Sequence, residues 1–152
     1  MTGEFERRHG FPAGTNEVRP ASRDDQVAAR THAQASPISA DLGTFYDSIG
    51  DLTWEDFGNG YFLDPASDVL LRLPDYGVGD FGADQKVRSL VIGSKGGGLS
   101  YVASPDGAVH RTRTASLDEP ERDEVADDLR QFPELLERSL TRVVADGAPG
   151  YL

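Results

Sequence analysis

The residues whose spacing comes closest to a known chemical motif form the glycine-rich segment GSKGGG at residues 93–98. The backbone N–H groups of such a segment can hold a phosphate group where the segment leads into a helix. A P-loop, however, needs its lysine after the glycines, whereas Lys95 precedes three of them and residues 99–103 have the pattern of a strand. The sequence therefore predicts a turn whose glycines accept positive φ or admit a close backbone approach.

The histidines offer no metal-binding or catalytic spacing. They are His9, His32 and His110, which are too far apart for the HxH or HExxH patterns of zinc sites. We interpret them as ordinary surface residues. The alternative concerns His110, which lies beside Arg111 and Arg113 on a predicted strand that could present a ribbon to a partner.

Carboxylates are plentiful between residues 123 and 128, where Glu124 and Asp128 would share one face of a predicted helix. A run of this kind is typical of a solvated acidic face. An acid–base or metal-binding pair would instead need carboxylates that converge in a cleft. We therefore expect no catalytic residue, no metal site and no cofactor.

The composition of the 152 residues indicates one globular domain with an ordinary core, because 38% of them are hydrophobic. The chain has no cysteine, which excludes disulfides, thiolate zinc sites and a cysteine nucleophile. Charged residues occupy the N-terminal segment where a signal peptide needs an apolar stretch, and no apolar run is long enough to span a membrane. We expect a cytoplasmic protein that does not bind membranes.

The formal net charge of −11 repels phosphate backbones and anionic lipids, so direct nucleic-acid binding is not expected. The same charge would accelerate the encounter with a basic protein, such as an enzyme that cleaves nucleic acid. The alternative is that the charge serves solubility alone.

The N-terminal half shows a lead-in followed by two helices. Residues 1–21 have no sustained helix or strand period, so we expect them to be mobile or loosely packed. Ser22 is a plausible N-cap for the first helix. The second helix ends at Gly50, and its apolar residues recur at i, i+3, i+4 and i+7: Leu42, Phe45, Tyr46 and Ile49.

The middle of the chain predicts strands that are separated by turns. The Asn59-Gly60 turn precedes a strand at residues 61–63, and the pattern at residues 69–73 fits either a strand or a helical turn. Residues 74–82 read as a loop. Three further strands form an antiparallel meander at residues 87–92, 99–103 and 108–112.

The C-terminal third returns to a helical period, beginning near Pro120 and ending at Gly147. Because proline cannot donate an interior helical hydrogen bond, Pro133 is expected to divide this region into two helices. The order helix, strands, helix predicts a single α+β domain in which an antiparallel sheet is flanked by N- and C-terminal helices.

Four segments, taken in order, resemble the SUKH superfamily, which includes bacterial toxin-immunity proteins and fungal regulators of cell-wall synthesis. They read ISADLGTFYDSIG, GNGYFLDP, VIGSKGGGLSYVASPDGAVH and VADDLRQFPELLERSL. The resemblance extends over roughly residues 24–145, within a domain that we place at residues 22–152. It implies helices around an antiparallel sheet, no catalytic centre, and tight binding to a cognate toxin that is often a nuclease or deaminase.

The resulting hypothesis is an immunity protein that covers the active site of a basic toxin, with aromatic anchors supplying affinity. The candidate partner-binding residues are Trp54, Phe57, Asn59, Tyr61, Lys95 and Tyr101. Each could instead serve the core or a turn, although we expect Lys95 to be exposed. The alternative functions are a regulatory scaffold that docks endogenous proteins and a nucleotide-binding enzyme that uses the turn at residues 93–98. The oligomeric state is left open.

Overall fold

The computed structural model describes residues 6–7, 10, 14–35, 39–56, 59–76, 79–80, 86–87, 89–117, 119, 121–147 and 152. In chain order, the elements are β1 (Asn16–Pro20), α1 (Arg23–Ala35), α2 (Ser39–Ser48), β2 (Ile49–Trp54), β3 (Tyr61–Leu63), α3 (Ala66–Tyr76), β4 (Gly79–Asp80), β5 (Lys86–Val87), β6 (Leu90–Lys95), β7 (Leu99–Ala103), β8 (Val109–Thr112), β9 (Arg122–Ala126) and α4 (Gln131–Asp146).

The main sheet has seven strands in the order β1-β2-β3-β6-β7-β8-β9, and β4 and β5 form a separate two-stranded sheet. Every neighbouring pair of strands is antiparallel. The predicted α+β class and single domain are therefore confirmed. In this sheet β1 and β9 are the end strands.

The register of the strands separates the two faces of the sheet. Leu52 lies opposite Leu63, which lies opposite Gly93, and Gly93 in turn lies opposite Tyr101. Because cross-strand partners share a face, these positions form one row. The core residues of the helices, among them Phe132 of α4, cluster with this row. Helix α4 therefore covers this face, which we call the helix face.

The opposite face is more polar. One row on it contains residues that alternate with those of the helix face: Thr53, Phe62, Ser94 and Ser100. All four are partly exposed. A half-buried antiparallel sheet shows this alternation because successive side chains point to opposite faces.

Helix α1 begins where the sequence predicted, through a reciprocal cap. The backbone N–H of Asp25 donates to Ser22 Oγ at 3.2 Å, and the Asp25 carboxylate accepts from the backbone N–H of Ser22 at 2.7 Å. These bonds satisfy donors that have no partner within the helix. The prediction of a helix from Ser22 is confirmed.

Several predicted boundaries in the first half are wrong. Residues 16–20, assigned to the lead-in, form the end strand β1. Helix α2 ends at Ser48, and Ile49 begins β2 instead of ending the helix. The undecided stretch at residues 69–73 lies within helix α3, which continues into the predicted loop as far as Tyr76.

The C-terminal helix also begins later than predicted. Residues 122–126 form strand β9, so Glu124 and Asp128 do not share a helix face. Helix α4 begins at Gln131 and continues to Asp146 as one helix. Pro133 does not divide it, because proline is tolerated in a first turn whose N–H groups have no intrahelical partner.

Candidate interaction surface

Three of the predicted contact residues are buried on the helix face of the sheet. Trp54 is 9% exposed, Tyr61 3% and Tyr101 0%. The ring of Tyr101 packs edge-on against Phe132 of α4, with 5.0 Å between the ring centroids. Each of the three therefore serves the core.

The Lys95 side chain closes over this core instead of pointing freely into solvent. Its Nζ lies 5.6 Å from the ring centroid of Tyr61 and donates a hydrogen bond to the main-chain carbonyl oxygen of Leu152. The Tyr61 hydroxyl also donates to this oxygen, at 3.5 Å. Burial, and then the positive charge of Arg111, lower the pKa of the Lys95 ammonium. The expected exposure of Lys95 is wrong, since the residue is partly buried.

The glycines of residues 93–98 are explained by close packing. A Cβ atom on Gly96 would overlap the carbonyl oxygen of Asn59, and one on Gly93 would overlap that of Phe62. Gly97 and Gly98 have positive φ values of 67° and 88°. As predicted from the sequence, the segment joins β6 to the strand β7 and not to a helix. Because Gly96 lacks a side chain, the turn at residues 59–60 can pack directly against the β6–β7 hairpin.

The remaining predicted contact residues are Asn59 and Phe57. Asn59 is exposed at the predicted turn, and Gly60 follows it with a φ of 88°. Phe57 lies outside the described residues. Of the predicted set, the structure brings together Trp54, Tyr61, Lys95 and Tyr101, but it does so in and around the core.

The arginines of the proposed partner-facing ribbon are engaged within the chain. Arg111 and Arg113 both bond the carboxylate of Asp123, at 3.2 and 2.8 Å. These contacts lower the pKa of Asp123 below its usual value, with Arg113 as the larger cause. His110 lies on β8, between Val102 and Glu124 of the neighbouring strands.

A concave apolar surface, which we call the groove, lies at the β1 end of the sheet, between the strands β1 and β2 and the helix α4. This groove has a volume of about 370 Å³. It is lined by Val18, Ile49, Leu52, Trp54, Leu63, Pro133, Leu136, Glu137, Leu140 and Thr141. Of these described lining residues, Glu137 alone is charged. Apart from Trp54, none of the residues that line the groove was predicted as a contact residue from the sequence.

Val18 forms the outer wall of the groove, and 48% of its surface is exposed. Its cross-strand partner Leu52 is 5% exposed. The alternation of Val18 with the charged residues Glu17 and Arg19 was the available sequence signal, but five residues are too few to establish a strand period.

Strand β1 is fastened to the domain at both of its ends. Arg19 bonds Asp25 of α1 and Asp51 of β2, each at 2.6 Å. At the other end, the Asp56 carboxylate accepts from the backbone N–H of Gly14 at 2.8 Å, and Glu55 accepts from that of Thr15 at 2.9 Å. The wall that carries Val18 is thereby held in place by charge-assisted hydrogen bonds.

The second wall of the groove is set by the start of helix α4. The Asp128 carboxylate accepts from the backbone N–H groups of Arg130 and Gln131 at 2.8 and 2.7 Å. This side chain caps the helix and fixes its first turn. Phe132 is fully buried, which directs Pro133 and Glu137 toward the groove.

Other kinds of site are not found in the described residues. In them, no three His, Cys, Asp or Glu side chains converge in a way that could hold a metal ion. None of the described helices is long and apolar enough to cross a membrane. Comparison of the chain with protein-family models and with curated proteins finds no match.

Proposed function

We propose that this chain is a non-catalytic protein-binding domain, and more specifically a cytoplasmic immunity protein that neutralises a cognate toxin of the nuclease or deaminase class. The resemblance to the SUKH superfamily supplies the class of partner. The observation that carries the binding function is the solvent-open apolar groove between β1, β2 and α4.

The lining of the groove suits a protein side chain better than a polar metabolite. A small-molecule site usually adds several placed polar groups to its apolar walls, and these groups orient the ligand. Here the polar side-chain groups of the lining are those of Glu137 and Thr141 and the buried indole N–H of Trp54. An apolar anchor of a partner protein needs only a dry pocket of suitable shape, which is the arrangement found at interface hot spots.

The charge of the chain favours a basic partner. The net charge of −11 attracts a cationic surface at long range, and Glu137 places one carboxylate inside the contact. A toxin that acts on nucleic acid has to bind phosphates, so its active-site cleft is positively charged. Binding that brings this domain over the cleft would exclude the substrate both sterically and electrostatically.

The direct test is co-expression with the toxin that is encoded beside this chain. We expect the wild-type chain to restore the growth of cells that make the toxin, and Val18→Arg to lose this protection because a charged side chain would occupy the groove wall. Leu71→Arg is the matched control, because Leu71 is also an exposed aliphatic residue, at 75% exposure, and lies outside the groove.

The outcomes separate the alternatives. Protection by the wild type and by Leu71→Arg, but not by Val18→Arg, supports the proposal. Equal protection by all three would remove the groove from the mechanism. A chain that protects no cells and instead copurifies reproducibly with defined housekeeping proteins would favour the regulatory scaffold.

A further inference from the structure

We propose that the partner contributes an extended segment that pairs with strand β1 at the end of the described sheet, inserts an apolar side chain into the groove, and places a lysine or arginine beside Glu17 on the opposite face. This inference rests on the proposed function in one respect, namely that the groove is the partner site. It adds the backbone conformation and the chemistry of the segment that binds there.

The backbone of β1 shows which of its groups point away from the sheet. The pairing of Asn16 with Trp54, continued by one residue, sets Thr15 opposite Glu55. The N–H of Glu55 donates to the carbonyl oxygen of Thr15 at 3.1 Å, so these two residues form a hydrogen-bonded pair. Hydrogen-bonded and non-hydrogen-bonded pairs alternate along an antiparallel ladder. The backbone groups of Glu17 and Arg19 therefore face β2, and those of Asn16 and Val18 face outward.

The outward groups have no strand beside them in the described sheet, in which β1 is the end strand. The Asn16 side chain turns back along its own chain, donating to the carbonyl oxygen of Gly14 at 3.2 Å. Val18 thus presents a backbone donor, a backbone acceptor and a half-exposed side chain at one place. An added strand would hydrogen-bond both backbone groups of Val18 and cover its side chain, as in β-strand addition.

The position of the groove gives the partner segment its pattern. A residue paired with Val18 would point its side chain to the helix face, where the groove begins. Its two neighbours in sequence would point to the opposite face. One would lie beside the exposed carboxylate of Glu17, and the other beside Arg19, whose charge is already paired with Asp25 and Asp51. A segment in which apolar residues alternate with lysine or arginine therefore matches both faces, because opposite charges stabilise cross-strand pairs.

A second copy of this chain fits the edge less well. Antiparallel self-pairing around Val18 would set Glu17 opposite Arg19 of the other copy, but Arg19 already bonds Asp25 and Asp51. Two chains that each carry a charge of −11 also repel one another. The observations favour a basic segment of another protein.

The test uses the full chain, labelled with nitrogen-15, and a short peptide of alternating lysine and valine. We expect binding with shifts of the Asn16 and Val18 amide signals and slower hydrogen exchange at both amides. A peptide of alternating glutamate and valine should bind at least tenfold more weakly, since its glutamates meet Glu17 with like charge. Binding of both peptides with equal affinity would overturn the predicted chemistry of the segment.

Val18→Pro separates strand pairing from contact with the groove alone. It removes the outward N–H while leaving the ladder to β2 intact, and proline is tolerated on edge strands. We expect at least tenfold weaker binding of the lysine–valine peptide, while Val18→Thr, which keeps the N–H, should bind within about twofold of the wild type. If Val18→Pro binds as tightly as Val18→Thr, strand pairing is refuted.

A second variant keeps the test decisive should Val18→Pro fail to fold. Glu17→Lys keeps every backbone group of β1 and should weaken binding of the lysine–valine peptide while strengthening that of the glutamate–valine peptide. No change in this preference would refute the contact with Glu17. Dimerisation of the wild-type chain through slowed exchange at Val18, without any peptide, would instead identify a second copy as the occupant.

These results are independent of the growth assay. Loss of protection by Val18→Arg together with no peptide pairing at β1 would keep the proposed function and refute this inference. Peptide pairing at β1 in a chain that neutralises no toxin would support strand pairing at β1 and refute the proposed function.

Discussion

Tyr101 near the middle of the sheet and Val18 at its end both lie on the helix face, yet they differ in how they are covered. The Tyr101 side chain is fully buried against Phe132, whereas nearly half of Val18 is exposed beside the same helix. The middle strands have neighbours on both sides and α4 above them. Strand β1 has a described neighbour on one side only, and a groove lies between it and α4.

This difference shows that a position at the end of the sheet, and not aromatic composition, creates the accessible apolar surface of this domain. Aromatic side chains bury a large area and therefore dominate cores as well as interfaces. The aromatic residues predicted as interface anchors, Trp54, Tyr61 and Tyr101, are accordingly core residues. Of the three, Trp54 also lines the groove, whose other apolar walls are aliphatic residues of β1, β2, β3 and α4.

The largest expected effect is that of removing the Tyr101 ring. Tyr101→Ala should lower the free energy of unfolding by about 3–5 kcal/mol, because it leaves a cavity against Phe132. Tyr101→Phe is the matched control. The Tyr101 hydroxyl has no hydrogen-bond partner among the described residues, so its removal should cost less than about 1 kcal/mol. Chemical denaturation measures both, and a mild effect of the alanine variant would contradict a core role.

The next effect concerns the glycine segment. Gly96→Ala should destabilise the domain by about 2–3 kcal/mol, since the added Cβ collides with the backbone of Asn59. Gly14→Ala is the comparison, because its Cβ would meet the movable carboxylate ends of Asp56 and Glu55. Thermal unfolding of the two variants should therefore differ clearly. Equal stabilities would mean that the close packing at Gly96 is not needed.

A smaller effect is expected where β1 is fastened to α1. Asp25→Asn should destabilise the domain by about 1–2 kcal/mol at neutral pH, through a weaker helix cap and a lost ion pair with Arg19. The hydrogen bonds from Arg19 hold the pKa of Asp25 well below its usual range, despite its burial.

The pH dependence of that difference follows from the lowered pKa. In the unfolded chain the pKa of an aspartate is about 4. The stabilisation by the Asp25 carboxylate is therefore fully present above that pH, and it is lost as the pH falls through the lower pKa of Asp25 in the folded state. Denaturation curves at neutral and acidic pH should show the wild type and Asp25→Asn converging in acid. A difference that stays constant with pH would show that the carboxylate charge is not the cause.

The smallest effect on stability is expected in the groove. Val18→Arg should change the free energy of unfolding by less than about 0.5 kcal/mol, because Val18 is half-exposed on an end strand. The same variant should lose partner binding. A large loss of stability would assign Val18 to the core and erase the contrast with Tyr101.

The sequence was sufficient for the fold class because its strong local signals agree with one another. The Ser22 cap, the apolar spacing of α2 and the turns around β7 all occur close to their predicted places. Each of these signals depends on residues that are close together in the sequence, and not on which elements pack together in the fold.

The sequence was insufficient where tertiary contacts decide the structure. Residues 122–126 are acidic and suit a helix start, yet pairing with β8 makes them a strand. Strand β1 is too short to show a period and is held by ion pairs to α1 and β2. The groove depends on both β1 and the position of α4, so neither local pattern could reveal it.

The most direct test of the central claim is site-specific photo-crosslinking with the toxin that the chain neutralises. A benzophenone amino acid is placed at Val18 in one variant and at Leu71, a still more exposed position outside the groove, in another. We expect the Val18 variant to form a covalent adduct with the toxin and the Leu71 variant to form none. An adduct from Leu71 alone, or equal adducts from both, would contradict the assignment of the groove as the binding surface.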